Sequence, residues 1–244
     1  MHSHSLPEKS SLLRAGQVAG SVVEARCLAL AASPDVADRC DLVEFRADAL
    51  AGQIDAVRFA MIACPVPALL TVRSQEEGGI GGLSVESRDN IFTSLLRHAQ
   101  LVDIEIAHLA TFPTLIATAR QLGIPIIASY HNFTITPDRP ALEKLTVHAI
   151  AAGATAVKFA TTLRNSADLA ILTALQESSP IPLSTMGMGP LGRVSRLLLA
   201  SLGSVLNYGY LDQPTIPGQW PAQRLRTLIR ELRGEESAPP PSRI

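Results

Sequence analysis

A (β/α)₈ barrel is the fold class this sequence predicts, and three observations predict it. Eight short β-like runs alternate with eight helical segments over 244 residues, about the usual length of such a barrel, and strict alternation favours a parallel sheet. The turn after the first expected strand reads Ala-Ala-Ser-Pro, without the Gly-x-Gly that announces a nucleotide in the competing doubly wound sheet. Charged residues recur near the carboxyl ends of several strands on matching faces, and that end is where barrels of this kind carry their chemistry.

Taken in order, residues 1–11 are polar and are expected to stay flexible. Residues 12–25 are mildly apolar and read as a small hairpin or lid closing the bottom of the barrel. Arg26–Ala31 is the first expected strand, and Ser33-Pro34-Asp35 has the form of a helix start. A strand follows over Asp41–Arg46, a helix over 52–63 and, past Pro65 and Pro67, a strand over Ala68–Val72. Glu76–Leu83 carries four glycines and is read as a loop. Helix and strand then alternate: Val85–Gln100, Leu101–Ile106, a helix from 111 to 122, Ile124–Ser129, Pro140–Ala152 and Ala156–Phe159. Ser166–Gln176, Pro182–Thr185, Leu191–Leu202, Ser204–Leu206 and Pro221–Arg233 complete the series. One barrel domain over residues 12–233 is therefore expected, followed by a disordered tail, 234–244, with three consecutive prolines.

Composition narrows the function classes. The formal net charge is −1 with a pI near 6.6, and no Lys/Arg run points to nucleic acid. No apolar run reaches the roughly 18 residues of a membrane span. Cys27, Cys40 and Cys64 lie in separate segments without a Cys-x-x-Cys pair, which fits free thiols in a reducing compartment. The start, Met-His-Ser-His-Ser, lacks the order of a secretory signal, so a cytoplasmic protein without membrane or nucleic-acid partners is expected.

The chemistry centres on Lys158. The chain has three lysines among its 21 basic residues, and Lys158 alone lies in an apolar strand, between the small Ala156 and Ala160. A buried ammonium loses its charge or finds a partner, and a neutral amine attacks ketones and aldehydes. At a pKa of about 10.4, only roughly one lysine in two thousand is neutral at pH 7. Burial and nearby cations such as Arg46, Arg73 and Arg196 would raise that fraction. Alternation puts Val43 and Phe45 on one face and Glu44, Arg46 and Asp48 on the other. Val102, Ile104 and Ile106 likewise oppose Asp103 and Glu105, and Ser129 and His131 alternate with Tyr130. The pattern describes an apolar helix-facing side and a lumen that turns polar at its top. An imine mechanism also needs a proton shuttle, for which His131 is the candidate. Arginines at the rim suit a carboxylate. His98, His108 and His148 read as helix or loop residues, and no metal triad is expected.

These residues resemble a known family, the type I 3-dehydroquinate dehydratases. The resemblance is carried, from about Arg26 onward, by Asp41–Asp48, Thr71–Gly79, Val102–Glu105 and Ser129–Phe133 with Thr136-Pro137. It continues through Val157–Ala160, Met186-Gly-Met188, Gly192–Arg196, Gly203-Ser204 and Pro217-Gly-Gln219. It implies a barrel that dehydrates 3-dehydroquinate to 3-dehydroshikimate in the shikimate pathway, as a cytoplasmic homodimer without cofactor or metal. By that resemblance Lys158 forms the imine, His131 is the acid–base group and Glu105 positions His131. Arg196 holds the substrate carboxylate, while Glu44, Arg46, Arg73 and Gln219 bind ring hydroxyls or order the pocket. Glu77 joins the same polar network, Met186 and Met188 pack beside the imine, and Thr215 keeps a hydroxyl where a serine is common. The chain departs from the family pattern at Asn132, beside the histidine, and at Leu202, which implies a changed pocket wall. It also has shorter first helices. The rival readings are an aldolase-type imine enzyme using Gly187–Gly192 as a phosphate loop, a binding protein that keeps the pocket, and metal-assisted hydrolysis through Asp103, Glu105 and His131.

Overall fold

The structure is a computed structural model and describes residues 12–214 and 218–235. Expectations for residues 1–11, for Thr215 and for the tail beyond Glu235 lie outside the described residues. The strands are β1 (Gln17–Val22), β2 (Leu42–Arg46), β3 (Ala68–Thr71), β4 (Leu101–Glu105), β5 (Ile126–Asn132), β6 (Ala156–Thr162), β7 (Leu183–Met188) and β8 (Leu206–Tyr210). The helices are α1 (Cys27–Ala31), α2 (Ile54–Ala63), α3 (Val85–Leu95), α4 (Pro113–Gln121), α5 (Arg139–Ala151), α6 (Ser166–Ser178), α7 (Gly192–Ser201) and α8 (Ala222–Leu232). All eight strands are parallel in one sheet of order β7-β6-β5-β4-β3-β2-β1-β8. The seam between β7 and β8 is closed partly by side chains. Val205 N–H donates to the Leu183 carbonyl at 3.0 Å. The Ser184 hydroxyl donates to the Leu206 carbonyl, and the Thr185 N–H donates to Ser204 Oγ at 3.1 Å. The expected (β/α)₈ barrel is the observed architecture.

The start of the barrel corrects the sequence reading. Arg26–Ala31 is not a strand: Cys27–Ala31 is the short helix α1, and the first barrel strand is Gln17–Val22, inside the segment read as a hairpin or lid. The physical reason lies in side-chain size. Leu and Ala favour helix, whereas Ala19, Gly20 and Ser21 are small because space around β1 is short. A Cβ on Gly20 would lie 2.6 Å from Leu211 Cδ2 and 3.0 Å from Cys40 Sγ. Among the described residues, buried Leu12 packs with the lower-lumen side chains, and the segment 12–25 forms β1 and not a hairpin. The last strand also runs further than Ser204–Leu206, because Ser204 and Val205 belong to the seam and β8 continues to Tyr210.

Two apolar layers result. Alternate residues such as Val43, Phe45, Val102, Ile104, Val157 and Phe159 face the helices and form the larger core. Ala19, Leu42, Leu69, Leu101, Ile127, Ala156 and Leu206 fill the lower lumen. Above them the same faces become polar, so period-two alternation alone places the charged residues inside the barrel.

Candidate active site

Lys158 projects from β6 into the lumen and is 3% exposed. Its Nζ donates to Asp103 Oδ2 at 2.8 Å and lies 4.3 Å from the centre of the Tyr208 ring. Burial lowers the lysine pKa; Asp103 opposes that shift, and Arg73 reinforces it. The site thus brings the neutral amine within easier reach than in a free lysine, without letting the nitrogen wander.

Asp103 is the hub beneath the lysine. Arg73 Nη1 pairs with Asp103 Oδ1 at 2.9 Å, and the Ser129 hydroxyl donates to the same oxygen at 2.6 Å. Burial works against the Asp103 charge, but Arg73 and Lys158 outweigh it and hold the carboxyl well below its usual range. Arg73 and Asp103 are both almost wholly shielded from solvent. Removing one member of such a group strands the others, at a cost of about 3–5 kcal/mol. Asp103→Ala is therefore expected to lose stability of that order in urea denaturation, and a loss below about 1 kcal/mol would contradict the hub role.

His131 stands on β5, directly beside the lysine strand, where it pairs with Ala160 in register. Its Nδ1 lies 2.8 Å from Glu77 Oε2, and its backbone N–H donates to the same oxygen at 2.9 Å. Here the expectation for Glu105 is corrected: the carboxylate that positions His131 is Glu77. Parallel register puts Glu105 opposite Ser129, two residues short of His131. Glu105 instead pairs with Arg88 from α3 and accepts the Ser74 N–H at 2.6 Å. Glu77 reaches the histidine because the β3–α3 loop turns back over the barrel mouth. Gly78 adopts a left-handed φ of +85°, and a Cβ on Gly79 would lie 2.3 Å from the Arg73 carbonyl oxygen. Asp48 ties that loop down by accepting from the N–H groups of Arg73 (3.1 Å) and Ile80 (3.0 Å). Alternation along strands cannot reveal a contact made by a loop; the resemblance placed Glu77 in the polar network but did not pair it with His131.

Burial raises the Glu77 pKa to about 7, while burial and the cations Arg73 and Lys158 push His131 well below its usual value. At neutral pH the imidazole is thus uncharged. With Glu77 ionised, Nδ1–H donates to the carboxylate and leaves Nε2 as the basic nitrogen.

The remaining residues line one cavity of about 290 Å³. Lys158, His131, Glu44, Arg46, Arg73, Glu77, Met186, Met188, Arg196 and Gln219 all face it. Glu44 accepts from the hydroxyls of Ser21 (2.6 Å) and Thr71 (3.1 Å). Arg46 forms a two-pronged bond with Asp48, at 2.9 and 2.8 Å, and donates to the Gly78 carbonyl at 3.1 Å. Arg196 enters from α7, is 2% exposed, and donates from Nη1 to the Tyr208 carbonyl at 3.0 Å. Its Nε has no partner and it forms no ion pair among the described residues, and burial lowers its pKa to about 10. Thr215 lies outside the described residues.

Two departures turn out to be remote from the chemistry. Leu202 caps the far end of α7 and does not line the cavity, so the expectation of a changed pocket wall is corrected. The Asn132 side chain folds the next loop, accepting from the N–H groups of Thr134 (3.0 Å) and Ile135 (2.9 Å). Sequence reasoning missed Ser21 and Tyr208, which also line the cavity. Ser21 was hidden with β1, whereas Tyr208 shares the lumen face of β8 with Leu206 and was within reach of the alternation rule.

Known proteins resemble this chain in sequence and in fold. Residues 22–236 match the family model described as type I 3-dehydroquinase. A 3-dehydroquinate dehydratase of Methanothrix thermoacetophila is 34% identical over 202 residues, covering 82% of this chain and 86% of that protein. One from Geobacillus thermodenitrificans is 33% identical over 202 residues, covering 77% and 79%. The crystal structure of 3-dehydroquinate dehydratase from Geobacillus kaustophilus superposes with a TM-score of 0.80 at 26% identity, covering 91% of this chain and 93% of that one. The chain belongs to the type I 3-dehydroquinase family.

Proposed function

We propose that this protein is a hydro-lyase that converts 3-dehydroquinate to 3-dehydroshikimate, with Lys158 as the imine-forming residue. The neutral amine adds to the substrate ketone, and the adduct takes up one proton from solvent and loses water, which gives an iminium. That cation makes the adjacent C–H acidic. Nε2 of His131 removes the proton, and the electron pair flows into the imine to form an enamine. The enamine returns the pair, expels the ring hydroxyl, and His131 gives it the proton so that it leaves as water. Hydrolysis of the imine releases the product and restores the lysine. Glu77 holds the imidazole, Glu44, Arg46, Arg73 and Gln219 bind or order the ring, and Met186 and Met188 wall the imine. Glu105 acts through the scaffold, by fixing Ser74 and Arg88.

The observation that carries this reading is a buried lysine and a buried arginine without an acid of its own, facing one cavity. A cyclic ketone bearing a carboxylate matches both. The appearance of the conjugated enone by ultraviolet absorbance tests it; purified protein that leaves 3-dehydroquinate unchanged would refute it. Arg196→Ala is expected to raise KM about 100-fold with a smaller change in kcat, since a charge-assisted pair is lost. An unchanged KM would remove Arg196 from the carboxylate site. The same reading makes the protein a cytoplasmic homodimer in the shikimate pathway. Among the described residues no helix is long and apolar enough to cross a membrane, and Cys27, Cys40 and Cys64 are free thiols.

A further inference from the structure

Tyr208 on β8 is 5% exposed and lines the cavity, with Lys158 Nζ over its ring. Its hydroxyl is buried and has no hydrogen-bond partner among the described residues. A phenylalanine would wall the lysine equally well without desolvating a hydroxyl. An unpaired buried hydroxyl lowers stability, and such groups in folded proteins call for an explanation. The two acids facing the phenol, Glu44 and Asp103, are already engaged by Ser21 and Thr71, and by Ser129, Arg73 and Lys158. Burial and those two charges raise the phenol pKa well above its usual value, so the group remains a donor and is no base.

We propose that the Tyr208 hydroxyl binds substrate, donating a hydrogen bond to the ring hydroxyl oxygen on the carbon next to the carbonyl. The inference rests on the dehydratase reading above and deepens it. A carboxylate would be repelled by Glu44 and Asp103, and Arg196 holds the Tyr208 carbonyl, not its hydroxyl. A substrate hydroxyl suits the place: it can give its proton to a carboxylate and accept one from the phenol. Lys158 Nζ sits 4.3 Å from the ring centre, so the substrate carbon bonded to that nitrogen lies beside this ring, and the hydroxyl on the neighbouring carbon is the substrate hydroxyl nearest to it. Tyr208 is then a specificity-determining residue, for a site built to bond a hydroxyl rejects the analogue that lacks it.

The test is Tyr208→Phe, assayed with 3-dehydroquinate and with the analogue lacking the hydroxyl next to the carbonyl. Expected are a melting temperature equal to or above wild type and a drop of about tenfold in kcat/KM for 3-dehydroquinate. The analogue should be turned over equally by both proteins. A kcat/KM for 3-dehydroquinate within twofold of wild type overturns the proposal, as does an equal loss on both substrates. Should the variant not fold, Tyr208→Met, which also lacks the hydroxyl, takes its place and is read with the same two substrates and the same thresholds. Wild type inactive on 3-dehydroquinate would instead defeat the dehydratase reading itself.

Discussion

Lys158→Ala is expected to lower turnover of 3-dehydroquinate by on the order of 10⁴-fold or more, because no other group in the cavity can form an imine. The fold should survive the change. Asp103 keeps Arg73 at 2.9 Å and the Ser129 hydroxyl at 2.6 Å, so the buried carboxylate is not left alone. Substrate binding should persist too, since Arg196, Arg46 and Glu44 are untouched. The covalent step has its own readout. Borohydride added to wild type with substrate should reduce the imine and fix the ligand's mass on the peptide containing Lys158. Lys144, on α5, is the control position. Label on Lys144, or residual turnover within about tenfold of wild type, would end the imine assignment.

His131→Ala comes next in size, with kcat expected to fall about 10²- to 10⁴-fold, the range for loss of a positioned acid–base group, and KM little changed. The pH profile separates this from a packing defect. Glu77 titrates at about 7 and His131 well below its usual value, so the imidazole is neutral over the working range. Below pH ~7 protonated Glu77 loses the charge that orients the imidazole and accepts from Nδ1–H only weakly, and kcat should fall as pH drops. Glu77→Gln should remove that limb and lower the plateau. A limb near pH 7 that survives in Glu77→Gln would assign it to another group.

The same shift has a consequence for stability. The Glu77 pKa is raised on folding, from its ordinary value of 4.5 to about 7. The folded state therefore binds this proton more tightly than the unfolded chain does. Its contribution is fully present below about pH 4.5 and is lost as pH rises through 7. Activity and stability are thus expected to move in opposite directions across this window: the ionised carboxylate serves the histidine, and the neutral one suits the buried position.

The strand rule made much of the site legible. Lys158, Glu44, Arg46, Asp103, Glu105 and His131 all fall on lumen faces because side chains alternate with period two whatever surrounds them. The resemblance located Arg196, Met186 and Met188, which reach the cavity from the last two β/α units. The reading went astray where size, not polarity, governed the backbone. Gln17–Val22 has few large apolar residues because Leu211 and Cys40 crowd it, and so a strand was taken for a hairpin. It also went astray at Glu105, where the face was right but the register was not.

From the sequence alone came the alternating architecture, the single lysine inside a strand, and the face on which each strand carries its charges. These follow from local geometry, which a linear pattern contains. Only the tertiary structure decided which carboxylate meets His131, how Arg88 and Ser74 claim Glu105, and that Arg196 and Tyr208 each keep a buried polar atom unpaired among the described residues. Those outcomes depend on the stagger between strands and on a glycine loop folding back over the barrel mouth. Both join residues tens of positions apart, and no short-range periodicity records them.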